Sequence, residues 1–229
     1  GPRGAGQSNS VGRAGVKPLN KRISLLVLGA TMGVIAQAAP FQNGSFETGP
    51  APGSFSNLAA GDTQITGWTV TGTSIDYIGT YWTAADGSRS LDLSGIGAGG
   101  VEQAFDTIAG RTYRVRFALA GNTDCGPQVK TVRVLATGSA AVDYTFDTAG
   151  HSRPSNMGWA TQTYTFTATG ATTTLGFTSQ DATNCGPALD NVVVTDVTPA
   201  PVPTTSEWGL MVLASLMGLA ALRGRRRSH

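Results

Sequence analysis

The chain has 229 residues, a formal net charge of +2, 13% charged residues, 7% aromatics and 31 glycines. So little charge, with apolar residues alternating through the middle, excludes a solvated disordered polymer and points to an exported all-β domain. Residues 39–202 carry seven Lys/Arg against thirteen Asp/Glu, a net of −6, so the positive total comes from the two ends; an acidic centre argues against a nucleic-acid binder, which needs a basic face on the folded domain.

Residues 1–20 are rich in Gly, Ser and Asn with scattered Arg and Lys, and read as disordered. Lys21-Arg22 then precede an apolar run from Ile23 to Ile35 and the triplet Ala36-Gln37-Ala38. A cationic flank, a short apolar run and a small-x-small end make a signal peptide cleaved after Ala38, with a short buried helix as the alternative.

From Phe41 to Val197 no stretch has a helical period, whereas period-2 stretches are frequent. Strands are expected at Gln64–Val70, Ser74–Ile78, Ser88–Leu93, Val101–Phe105, Arg111–Ala120, Val129–Ala136 and Thr161–Ala168, then around Leu175 and Phe177, and from Leu189 to Val197. In Arg111–Ala120, Tyr113, Val115, Phe117 and Leu119 share one face, and Thr112, Arg114 and Arg116 share the other. Nine or ten short strands separated by Gly, Asp, Asn and Thr turns predict a single antiparallel β-sandwich or jelly roll over residues 39–197.

The two cysteines sit in matching contexts, Thr123-Asp124-Cys125-Gly126-Pro127 and Thr183-Asn184-Cys185-Gly186-Pro187. In an exported chain they are expected to form one disulfide, with matching turns at one end of the sandwich. Redox or metal chemistry is the weaker reading, because there is no Cys-x-x-Cys spacing and no nearby His.

Trp68, Tyr77, Tyr81, Trp82 and Trp159 are most of the large aromatics outside the alternating strands. Flat rings offer an apolar face to a sugar ring, and nearby Asp, Asn or Arg would bond its hydroxyls. Tyr81, Trp82 and Asp86 lie together in a loop-like stretch and are the candidate ligand-binding residues; a place in the core is the other reading of Trp82, and of Trp68 and Trp159. Catalytic patterns are weak. The domain has one His, His151, in the turn Gly150–Pro154, with no Gly-x-Ser-x-Gly elbow and no nucleotide-binding glycine pattern, so no catalytic residue is assigned.

Residues 198–203 form a Pro-rich linker. Beyond it come Thr204-Thr205-Ser206-Glu207-Trp208-Gly209, an apolar run to Leu222, and the cluster Arg223–Arg227. An apolar helix of about 14 residues spans roughly 21 Å, short of a bilayer core of about 30 Å. A segment that holds the chain at the membrane until a processing enzyme acts fits this length better than a lasting span.

Two resemblances follow from these residues. The tail Val202–Gly209, with its apolar run and Arg cluster, resembles the bacterial IPTL-CTERM sorting signal read by exosortase-type enzymes; Pro203, Thr204, Trp208 and Gly209 match, whereas Val202 and Thr205 depart from it. In the domain, Asn43-Gly44-Ser45-Phe46-Glu47, Gly67-Trp68, Ser74–Gly79, Ala85–Leu93, Gln103, Gly110-x-x-Tyr113, Ala120-Gly121-Asn122 and Gly186–Val192 come in an order that resembles the choice-of-anchor C family of bacterial exported domains. That family is similar to a plant cell-wall family with a galactose-binding-like jelly roll. The resemblance implies a location at the bacterial cell surface or outer envelope, or secretion, and binding of an extracellular polysaccharide or cell-envelope glycan, without a reaction. The alternatives are a structural matrix or adhesion protein without a small ligand and, more remotely, a glycan-acting hydrolase. The Asn-Gly-Ser-Phe-Glu opening and the Leu-Asp-Asn-Val close also resemble paired segments that hold a structural Ca²⁺ in carbohydrate-binding jelly rolls. Glu47 and Asp190, with Asn43, are the expected ligands; caps on turns or acceptors of backbone N–H bonds are the other reading of the two carboxylates.

Overall fold

The computed structural model describes residues 39–200 and 209–217; the expected signal peptide and the sorting residues Pro203, Thr204 and Trp208 lie outside the described residues. Eleven strands form the fold: β1 Phe55–Ala59, β2 Thr69–Gly72, β3 Ser74–Ile78, β4 Ser90–Asp92, β5 Gly99–Asp106, β6 Thr112–Gly121, β7 Val129–Ala136, β8 Val142–Asp147, β9 Ala160–Thr167, β10 Thr172–Ser179 and β11 Pro187–Asp196. They make two antiparallel sheets, one ordered β1-β3-β4-β11-β6-β9 and the other β2-β5-β10-β7-β8. The chain is therefore a β-sandwich, as its alternation predicts. Residues 209–217 are helical, Gly209 among them. Among the described residues no helix is long and apolar enough to cross a membrane.

The alternating strands close the core. In β6, Tyr113, Val115, Phe117 and Leu119 are buried inward while Arg114 and Arg116 face out. β10 answers from the other sheet with Leu175 and Phe177, and Phe117 meets Phe177 edge to face at 5.2 Å. Each such side chain, fully buried, contributes about 1.5–3 kcal/mol of transfer free energy. The segment before β1 is held to the sandwich by Gln103 of β5, whose side chain accepts from the N–H of Gln42 at 2.8 Å and donates to its carbonyl at 2.9 Å.

Cys125 and Cys185 are bonded, with their Cα atoms 5.7 Å apart, so the two matching turns do meet at one end of the sandwich. Lys130 of β7 reaches the same place. Its side chain is fully buried, and its Nζ donates to the carbonyl oxygens of both Cys125 and Cys185 at 2.7 Å. A buried ammonium without partners would be costly; here it ties the two turns together a second time.

Candidate functional site

The outer face of the six-stranded sheet has a row of small or polar residues behind the core positions. Asn57, Asp76, Asp92, Ala188 and Ala120 are successive cross-strand neighbours on β1, β3, β4, β11 and β6. Ala118 and Ala120 are buried although they alternate with the inward residues of β6, so something must cover that face. The cover is the loop between β3 and β4. Trp82 in this loop is only 2% exposed, and its Nε1 donates to Ser90 Oγ at 2.8 Å; Thr83 O accepts from Trp159 Nε1.

Two carboxylates clamp the far end of the loop. A β-bulge between Asp190 and Val193, with Asn191 at φ 48°, interrupts the register of β11 beside Asp190. Asp190 Oδ2 accepts from the N–H of Ala85 at 2.7 Å and of Asp86 at 3.0 Å, and its Oδ1 accepts from Asn191 N–H. Glu47 accepts from the N–H groups of Ser88 and Arg89 and from Ser88 Oγ. Asn43 adopts φ 52° and closes a turn by bonding Thr48 and Thr66. The opening and closing motifs therefore do come together, joined by the N–H of Val192 donating to Gly44 O at 2.9 Å. Of the carboxylate readings, this geometry is the one in which Glu47 and Asp190 accept backbone N–H bonds. As placed, each has three donors aimed at its oxygens, and no group of three or more His, Cys, Asp or Glu gathers for a metal among the described residues.

The loop's near end borders a cleft of about 130 Å³. Its walls are aromatic and polar: Phe55 and Tyr81 meet edge to face at 5.2 Å, and Asp76, Asp92, Asn122, Asp124 and Asn184 line the rest. Tyr81 is half-buried. Arg153 lies 4.1 Å over its ring, and its hydroxyl donates to Asp124, which also binds Arg153 at 2.6 Å. Burial alone would raise the Asp124 carboxyl, but the bonds from Arg153 and Tyr81 outweigh it and hold it below its ordinary range. Across the cleft floor, burial raises Asp76 and pushes Asp92 up to about 7. Asp92 is nonetheless held by three donors: the N–H groups of Ser94 and Gly186, and Asn122 Nδ2. The cleft thus sets aromatic side chains beside carboxylate and amide groups.

The sequence-derived ligand set is only partly assembled here. Tyr81 lines the cleft. Trp82 is corrected: it is a core residue, since the β3–β4 loop folds back over the sheet and turns the indole toward Ser90. Asp86 is exposed and accepts from Ser45 Oγ at 2.6 Å, away from the cleft residues. Phe55, Asp76, Asp92, Asn122, Asp124 and Asn184 escaped sequence reasoning as a set. The available signal was a carboxylate inside two short strands, at the centre of Ser-Ile-Asp-Tyr-Ile and at the end of Ser-Leu-Asp, where local chemistry and fold disagree.

Among known proteins, the chain is similar to halomucin of Haloquadratum walsbyi, 31% identical over 168 residues; the match covers 68% of this chain and 2% of halomucin. Solved structures similar to it include TmCBM61 in complex with β-1,4-galactotriose (16% identity, 69% of this chain and 98% of that one, TM-score 0.42). Others are a family 35 carbohydrate-binding module from Clostridium thermocellum (14%, 62% and 99%, TM-score 0.43) and CBM35 from Paenibacillus barcinonensis (20%, 61% and 98%, TM-score 0.41). The IPTL-CTERM motif matches residues 200–227. With residues 39–195 matched, the chain belongs to the family described as protein of unknown function, DUF642.

Proposed function

We propose that this domain is a non-catalytic carbohydrate-binding module displayed at the bacterial cell surface, and that a neutral sugar ring docks in the Tyr81 cleft. The observation that carries this reading is the cleft's composition: Phe55 and Tyr81 beside Asp76, Asn122, Asp124 and Asn184. Aromatic surface takes the C–H face of a pyranose, and acceptors at fixed positions take its hydroxyls. The resemblance to choice-of-anchor C domains is the finer family reading we attach to this proposal. In a glycan array the full chain is expected to retain neutral oligosaccharides, and Tyr81→Ala is expected to weaken retention on the order of tenfold, about 1.4 kcal/mol. Retention of no glycan, or a Tyr81→Ala variant that binds like the parent, would overturn the reading; release of shortened sugars during incubation would overturn its non-catalytic part.

Display is proposed to run through the C-terminal motif. The chain is held at the membrane by its short apolar run until an exosortase-type enzyme cuts near Pro203-Thr204. Mass spectrometry of the host's surface fraction is expected to find a C-terminus at that step, and an intact His229 there would refute processing.

A further inference from the structure

We propose a second binding site on the same sheet face, for an acidic polysaccharide, built on Arg114 and Arg116. A groove of about 300 Å³ opens on the β11–β6–β9 side of the sheet, lined by these two arginines with Thr161, Asn191, Val193 and Thr195. It is separate from the Tyr81 cleft and shares no residue with it.

The placement follows from the strand register. Arg114 lies between Thr195 of β11 and Thr165 of β9; Arg116 lies between Val193 and Thr163. All six side chains share the outer face and are exposed. Residues i and i+2 of a strand point the same way roughly 7 Å apart, so the two guanidinium groups stand in line along the groove, bordered by hydroxyls.

What distinguishes these arginines is that the protein does not use them. Arg111, Arg133 and Arg153 are each ion-paired to an Asp, Arg89 bonds Tyr77 and Gly49, and Lys130 is buried on two carbonyls. Among the described residues, Arg114 and Arg116 are the two cations without a hydrogen bond or ion pair to the protein. Both sit in one groove of a segment whose net charge is −6. Guanidinium groups pair carboxylate and sulfate with fork geometry, and the threonines supply partners for sugar hydroxyls. A nucleic acid is disfavoured, because two arginines are few against a closely spaced phosphate backbone and the acidic remainder of the domain repels it.

The test uses the full chain in affinity electrophoresis through gels holding alginate or dextran sulfate, with neutral mannan and dextran as the matched controls. Retardation is expected in the charged gels, weakening as salt is added. Arg114→Gln/Arg116→Gln is expected to lose about tenfold in affinity for the charged polymers while melting like the parent. Single Arg→Lys variants are expected to fall between. Tyr81→Ala is expected to bind the charged polymers like the parent, so failure of the neutral-sugar cleft and failure of this site are read separately. The proposal is overturned if the double variant is retarded like the parent, if no charged polymer retards the chain, or if duplex DNA retards it as strongly. It is also overturned if sedimentation shows that the arginines mediate self-association through a second copy's acidic face and the polymers do not compete.

Discussion

Replacing Cys125 and Cys185 with serine is expected to lower unfolding free energy by about 4 kcal/mol. The bond joins residues separated by 60 positions, and a closed loop of that length removes roughly this much free energy from the unfolded ensemble in the chain-entropy account. The bond does not act alone. Lys130 donates to the carbonyls of both cysteines, so Lys130→Met strands two acceptors at a buried place, at about 1–3 kcal/mol each. Because bond and ammonium hold the same two turns, their losses should overlap: the triple variant should lose less than the sum, with a coupling of at least roughly 0.5 kcal/mol. Urea unfolding of the four chains, followed by tryptophan fluorescence, measures the cycle. A disulfide-free variant with an unchanged midpoint would show that the turns are held by other means. The same turns carry Asn122, Asp124, Asn184 and Cys185 into the Tyr81 cleft. Sugar affinity should therefore drop in the disulfide variant even under conditions where it remains folded.

Where each residue's own neighbours decide its role, the sequence was readable. The inward run of β6 and the paired cysteine turns were expected from local pattern, and the meeting of Asn43–Glu47 with Asp190–Val192 from the resemblance of those two motifs to paired segments of jelly rolls. The failures have a common physical origin in contacts made far along the chain. β1 and β8, the two strands not anticipated, are both sheet edges, and each buries little: Leu58 in β1 and Phe146 in β8. An edge strand packs fewer neighbours, and these two each bury one apolar side chain in the core, too little for a period-2 pattern to show. The strand expected at Gln64–Val70 starts instead at Thr69, because Ile65 and Trp68 enter the core from a turn. Trp82 sits in a stretch of small and polar residues that reads as a loop, and it is one; its burial comes from the loop lying across the sheet onto Ser90. The arginines of β6 were correctly placed on the outer face, but their freedom from partners emerges only when every acid of the domain has been located.

The unfolding free energy is expected to fall as pH rises from about 4 to about 7, opposite to the usual acid-side behaviour of paired carboxylates. Buried carboxylates set this sign, Asp92 and Asp190 most strongly, with Asp76 and Asp181 also raised by burial. Asp92 and Asp190 are each pushed by burial from 3.8 up to about 7. Between those values the native chain holds a proton on each that the unfolded chain has released. Where the native state binds more protons, stability declines with pH, by up to about 1.4 kcal/mol per pH unit for each group. The contribution is complete below the unfolded value and lost as pH passes the folded one. Asp196, held down to about 2 by Arg111 and Thr198, works in the other sense only below that window. Asp92→Asn keeps an oxygen for the N–H groups of Ser94 and Gly186 but cannot ionise, so its slope over this range should fall to the share left by Asp190, Asp76 and Asp181. Asp92→Ala instead leaves those two N–H groups and Asn122 Nδ2 without an acceptor, which should destabilise by roughly 3 kcal/mol at pH 5. Urea titrations at intervals across the range give the slope directly. A parent protein whose stability rises through pH 4–7, or an Asp92→Asn variant with the parent's slope, would show that Asp92 stays ionised on its three donors. The cleft floor would then present a permanent charge to the sugar in place of a titrating one.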